Sequence, residues 1–138
     1  MRTTKKESIS WLDIENGVND LVVKILTKRK KYSAIIAINR GGNIPGTMLS
    51  YRLNIPLFIY TPQKVEKFDW VSHIDKEVLL IDEIIDGGKT MKKVVKILEN
   101  YTIKINTCSL YYHPSSIFKP DFYHMKINDD IWLSFPWE

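Results

Sequence analysis

The chain has 138 residues, 44% hydrophobic and 26% charged, with a formal net charge of +4 and a pI of about 9.1. That is enough chain for one compact domain and too little for two comfortable ones, and the composition excludes a disordered polypeptide. Its longest apolar runs, Ala34 to Ile38 and Val78 to Ile81, are far too short to cross a bilayer, and one cysteine, Cys108, excludes an intramolecular disulfide.

The N-terminus, Met1 to Glu7, is basic and leads into no apolar signal segment. With the lone cysteine, this makes the cytoplasm the expected compartment. Ser10 reads as an N-cap with Asp13 as its capping-box partner, and Leu12, Val18, Leu21, Val22, Ile25 and Leu26 fall mostly on one face. A first helix is predicted from about Trp11 to Lys30. Lys28-Arg29-Lys30-Lys31 lies at its end, where cations favour the negative pole of the helix dipole. The run reads as a solvated helix end, and nucleic acid is not an expected partner.

Ala34-Ile35-Ile36-Ala37-Ile38 lacks polar alternation, as in a strand buried on both faces of a parallel sheet. After Arg40-Gly41-Gly42, a second helix carries Met48, Leu49 and Leu53, with Pro45 in its first turn. Leu57 to Tyr60 is a strand, Thr61 to Lys76 a loop or irregular excursion, and Val78 to Ile81 a second buried strand. Lys89 to Asn100 is a third helix, Ile103 to Tyr111 a strand, and the tail from Pro114 is irregular. Alternating strands and helices imply an α/β domain with a mostly parallel sheet, whose ligands bind beyond the carboxyl ends of the strands.

The residues just beyond the strand Val78-Leu79-Leu80-Ile81 are therefore decisive. Asp82 and Glu83 are adjacent carboxylates, Asp86 is a third, Gly87-Gly88 forms a turn, and Lys89-Thr90 opens a helix. Glycine amides and a helix N-terminus make a phosphate cradle. Three neighbouring carboxylates repel one another unless hydroxyls or a divalent metal answer them. Such a ligand has a phosphate at one end and hydroxyls beside it. A Walker A loop would need glycine where Glu83 stands, and no G-x-G-x-x-G follows any predicted strand.

Residues 78–90 resemble the motif by which type I phosphoribosyltransferases bind phosphoribosyl pyrophosphate (PRPP). The resemblance implies that Asp82 and Glu83 hold the ribose hydroxyls, directly or through Mg²⁺, and that Asp86, Gly87, Gly88, Lys89 and Thr90 wrap the 5-phosphate. Gly87 stands where the family commonly has threonine, which implies weaker phosphate binding. Arg40, Gly41 and Gly42 are similar to the pyrophosphate loop of the same family, with Arg-Gly-Gly as in xanthine-guanine enzymes. A cis peptide bond is expected near Arg40-Gly41.

Asp86 matches the aspartate that 6-oxopurine enzymes place near purine N7, where a carboxylate can accept a proton as the base attacks C1 of the ribose. The tail Asp130 to Glu138 resembles the C-terminus of the xanthine-guanine enzymes, which implies that Trp132 covers the purine and the backbone of Leu133 reads its edge. Phe135 and Trp137 read as anchors for the tail. His113-Pro114 stands where the family has Lys-Pro, so His113 is assigned to the base in place of that lysine, with Lys119-Pro120 as a substitute if the loop folds differently. His73, His113 and His124 lack metal-ligand spacing, and Cys108 reads as a core residue. Lys64, Lys67 and Trp70 could serve a lid.

The expected fold is the type I phosphoribosyltransferase fold, a twisted, mostly parallel sheet flanked by helices, with a small hood built from the chain ends. One domain, 1–138, would comprise a core of about 10–112 and a base-binding hood segment of about 113–138. The expected reaction passes ribose 5-phosphate from PRPP to guanine, xanthine or hypoxanthine, giving a nucleoside monophosphate and pyrophosphate, with Mg²⁺ as cofactor. The resemblance also implies a homodimer or homotetramer, and no membrane partner is expected. The alternatives are a non-catalytic PRPP-binding regulator and an enzyme acting on a pyrimidine.

Overall fold

A computed structural model describes residues 5–62, 77–101 and 103–138. In chain order the elements are β1 (Lys5–Ser8), α1 (Trp11–Thr27), β2 (Ala34–Ile38), α2 (Asn43–Leu53), β3 (Leu57–Tyr60), β4 (Glu77–Ile85), α3 (Lys89–Glu99), β5 (Lys104–Tyr112), β6 (Phe122–Lys126) and β7 (Ile131–Ser134). Five parallel strands form the main sheet in the order β3-β2-β4-β5-β6. The mostly parallel sheet flanked by helices that the sequence leads one to expect is the architecture observed.

Burial on both faces follows the period-two alternation of the central strands. Ile35 and Ala37 of β2, with Leu79 and Ile81 of β4, pack into one cluster with Ile14, Val18 and Leu21 of α1 and Leu49 of α2. Ala34, Ile36 and Ile38, with Val78 and Leu80, turn to the opposite face and meet Met91, Val94 and Leu98 of α3. Each fully buried aliphatic side chain contributes about 1.5–3 kcal/mol, so the β2–β4 pair is the rigid floor on which the loops stand. Cys108 is buried in the first of these clusters, and burial pushes its thiol up.

Local signals set the start of α1. Ser10 Oγ accepts from the Asp13 N–H at 3.0 Å, and an Asp13 carboxylate oxygen accepts from the Ser10 N–H at 2.9 Å. The helix ends at Thr27, before the expected Lys30, because Lys28 caps it and Arg29 takes a left-handed conformation with φ of 54°. Residues 28–31 are exposed, as a solvated helix end requires.

Two expectations need correction. β4 does not stop at Ile81 but runs to Ile85, because Asp82, Ile84 and Ile85 continue the ladder against Ser109, Tyr111 and Tyr112 of β5. The tail beyond Pro114 is not irregular: β6 joins the main sheet beside β5, and β7 pairs with β1. Segment 113–138 thus contributes to both sheets. Both short strands draw their hydrogen bonds from distant partners, so periodicity within four or five residues could not announce them. β1 and β7 make a two-stranded parallel sheet from the two chain ends, in keeping with the expected small hood. The excursion expected at 61–76 lies outside the described residues beyond Pro62, as do Lys64, Lys67, Trp70 and His73. No helix among the described residues is long and apolar enough to cross a membrane.

Candidate active site

From β2 the chain moves outward through α2 to β3, and it then returns to lay β4 on the other side of β2. The crevice between the carboxyl ends of β2 and β4 is thus a topological switch point, where open α/β sheets bind ligands. Residues 39–42 leave one strand there and residues 86–88 leave the other. The two stretches are far apart in sequence and become neighbours because their strands are hydrogen-bonded in parallel.

Because β4 continues through the acidic pair, Asp82 and Glu83 are held by a strand and not by a free loop. Asp82 stands opposite Ser109, and its Oδ1 accepts from the Glu83 N–H at 2.9 Å. Burial, aided by the negative charge of Glu83, holds the Asp82 carboxyl well above the ordinary aspartate range. Burial also raises Glu83. The Glu83 carboxylate occupies the space that a side chain on Gly41 would need. Glycine at 41 therefore lets the acid of β4 lie on the backbone of the loop after β2, and the two loops form one site.

A cavity of about 400 Å³ opens above this pair and is lined by residues 82–91. It includes Asp82, Glu83, Asp86, Gly87, Gly88, Lys89 and Thr90, all chosen from the sequence. Gly88, with φ of 89°, precedes α3, and no side chain caps the helix's N-terminal amides. Those amides, with the positive end of the helix dipole, are suited to an anion. A side chain at 88 would also strike Ser116 Oγ and lie 2.8 Å from the Phe118 nitrogen. Gly88→Ala is expected to destabilise the protein by about 1–3 kcal/mol, read as a lower Tm in thermal denaturation.

Asn39 and Arg40 are joined by a cis peptide bond, one residue earlier than the Arg40-Gly41 position expected. Side chains unanticipated from sequence hold this loop. Asn43 Nδ2 donates to Asn39 Oδ1 at 2.7 Å, and Asn39 Nδ2 donates to Thr61 Oγ1 at 3.1 Å. The i, i+4 spacing of the two asparagines was the one available signal. Arg40 is exposed and Gly42 buried, and neither lines the 400 Å³ cavity; they adjoin it through Gly41.

A second cavity of about 200 Å³ shares Glu83, Ile84 and Asp86 with the first. His113, Trp132 and Leu133 complete the set assigned to it from sequence, joined by Phe135 and Glu138. Pairing of Trp132 with Lys6 across β1 and β7 places the indole at its mouth, 53% exposed, while Leu133 is buried. Phe135 and Trp137 stack at 5.0 Å with an interplanar angle of 11°, and Trp11 meets Trp137 at 6.0 Å, so the tail is pinned as expected. Lys119, the alternative to His113, does not line this cavity.

The profile of the family described as "phosphoribosyl transferase domain" matches residues 10–138. The chain belongs to this family. The phosphoribosyltransferase is 27% identical over 142 residues to the xanthine-guanine phosphoribosyltransferase of Idiomarina loihiensis, covering 94% of this chain and 85% of that one. A purine phosphoribosyltransferase structure from Pyrococcus horikoshii superposes with a TM-score of 0.80 at 26% identity, covering 96% and 94% of the two chains. The xanthine-guanine-hypoxanthine phosphoribosyltransferase of Helicobacter pylori shares the fold, with a TM-score of 0.82 at 23% identity and coverage of 97% and 94%. The phosphoribosyltransferase therefore has two adjoining cavities, one floored by acids and helix amides, the other walled by rings.

Proposed function

We propose that this phosphoribosyltransferase serves purine salvage, moving ribose 5-phosphate from PRPP to N9 of guanine, xanthine or hypoxanthine and releasing pyrophosphate. The observation that carries the reading is that the 400 Å³ and 200 Å³ cavities meet at Asp86. A reaction joining a phosphorylated sugar to a flat base needs such a pair of adjacent sites, with a proton acceptor where they touch. The names of the relatives support the choice of a purine.

In this reading the amides of residues 87–90 take the 5-phosphate, and Asp82 and Glu83 take the ribose hydroxyls. Arg40, Gly41 and Gly42 take the pyrophosphate. Trp132 covers the base, where an exposed indole face offers stacking worth about 0.5–1.5 kcal/mol beyond its buried area, and the Leu133 backbone and His113 complete the base cavity. Asp86 accepts the N7 proton. The donor chemistry suits Mg²⁺: among the described residues no three His, Cys, Asp or Glu side chains are grouped to hold a metal by themselves. Mg²⁺ is commonly held by one or two carboxylates together with ligand phosphates, so Asp82 and Glu83 would share it with PRPP. When bound, it would neutralise charge on the leaving pyrophosphate.

The test is pyrophosphate release from PRPP and Mg²⁺ with guanine, xanthine, hypoxanthine, adenine, orotate and uracil supplied separately. Release with one or more of the first three, and little with the others, is expected. Release with orotate or uracil alone would make the chain a pyrimidine enzyme. PRPP binding without release for any base would make it a PRPP-binding regulator.

A further inference from the structure

His113 stands where the resemblance places a lysine, yet its surroundings give it a different task. The residue is 2% exposed, and its main-chain N–H donates to the Ile85 carbonyl at 3.0 Å, fixing it to the end of β4. Nε2 lies 3.6 Å from Asp86 Oδ1, and Nδ1 lies 3.6 Å from Asp129 Oδ1. Both separations exceed hydrogen-bond length and lie within ion-pair reach, and Nδ1 has no hydrogen-bond partner among the described residues. Asp129 is itself held, since its Oδ1 accepts from Ser115 Oγ at 2.6 Å. The other titratable groups lining the cavity are also acids, Glu83 of β4 and Glu138 at the chain end. A neutral imidazole carries one N–H and one lone pair, so it can donate to only one of its two flanking carboxylates. A second proton lets it donate to both.

Building on the proposed transfer to a 6-oxopurine, we infer that Asp129, His113 and Asp86 form a carboxylate–imidazole–carboxylate line that positions Asp86 and receives its proton. Asp129 selects the tautomer with hydrogen on Nδ1, which leaves the Nε2 lone pair facing Asp86. The base enters as its N7–H tautomer. Its N9 lone pair bonds to C1 while the C1–O bond breaks and its electron pair leaves with pyrophosphate. The N7 proton passes to the Asp86 carboxylate and from there to Nε2, which restores the Asp86 anion and leaves an imidazolium between two carboxylates. Asp86 is half-exposed and returns the proton to solvent after release. The 3.6 Å gaps close to hydrogen-bond length when ligand fills the cavities, as catalytic contacts commonly tighten in the complex. His113 and Asp129 are positioning residues that act through Asp86, and His113 does not read the 6-oxo group.

The experiment compares the wild-type chain with His113→Gln, Asp129→Asn and Asp129→Glu, using the 6-oxopurine that supports most pyrophosphate release. His113→Gln is expected to lower kcat by about 10²-fold and Asp129→Asn by about 10-fold, with partial recovery in Asp129→Glu. The KM for the base should stay within about twofold, and because His113 acts through Asp86, adding His113→Gln to Asp86→Asn should lower kcat little further than Asp86→Asn alone. A raised base KM with unchanged kcat would overturn the inference and make His113 a reader of the base; a double variant whose loss is the product of the two single losses would overturn it as well. A second measurement is independent of turnover: ¹⁵N NMR of the histidine rings, with the His113 signals identified by their loss in His113→Gln. They are expected to shift in both Asp86→Asn and Asp129→Asn, and no response to either removes the line. Should wild type turn over no base, the transfer reading fails, while these spectra still decide whether the three side chains are coupled.

Discussion

Asp86→Asn is expected to lower turnover with a 6-oxopurine by about 10²–10⁴-fold, the range that a positioned proton acceptor contributes. The side chain is half-exposed and lies on the boundary of the two cavities, so its replacement by an isosteric amide leaves packing and stability nearly unchanged. The amide cannot accept the N7 proton as a carboxylate does, and it removes the negative charge beside the developing positive charge on the sugar. In the proposed reading PRPP is held by the amides of residues 87–90 and by the Asp82–Glu83 pair, so its Kd by titration calorimetry should change little. Stopped activity with intact PRPP affinity is the expected signature. Unchanged turnover would remove Asp86 from the reaction.

Asp82→Asn should give a protein that is more stable and far less active. The Asp82 carboxyl is raised above its ordinary range first by burial and then by the charge of Glu83, so its ionised form costs stability in the folded protein. That cost is absent below the unfolded-state value of about 3.9, grows as pH rises from there toward the raised folded-state value, and is complete above it. Asparagine retains an oxygen to accept the Glu83 N–H and carries no charge. In the ligand-free protein at neutral pH, Tm should rise by roughly 2–5 °C, and the gain should disappear as pH falls to the ordinary aspartate range. Turnover should fall by about 10²-fold or more as the ribose loses its orientation. A lower Tm at neutral pH would show that the buried charge is answered within the ligand-free protein.

Much of this was legible in the chain itself. Residues 34–38 and 78–81 announce strands buried on both faces because every position is apolar, and the two clusters against α1–α2 and α3 are that pattern realised. Asp82 to Thr90 could be chosen because acids, glycines and a helix start lie close together along the chain, all inside one strand–turn–helix unit. Ser10 and Asp13 marked the start of α1 for the same reason, since a capping box is a contact across three residues.

Other features had no local trace. β1 and β7 are four residues each, and they exist as strands because opposite chain ends pair with one another. The extension of β4 through two carboxylates overrides the reading of acids as a strand's end, since the ladder to β5 supplies hydrogen bonds that a short window does not contain. The seating of Glu83 over Gly41 and the placement of His113 between Asp86 and Asp129 join residues from separate elements. Sequence sets side-chain chemistry and short-range hydrogen bonding, so it determined most of the elements and the acid–glycine turn that opens α3. Pairing and packing bring distant residues within a few ångströms, and that proximity alone assembled two loops, a histidine and the C-terminal tail around one crevice.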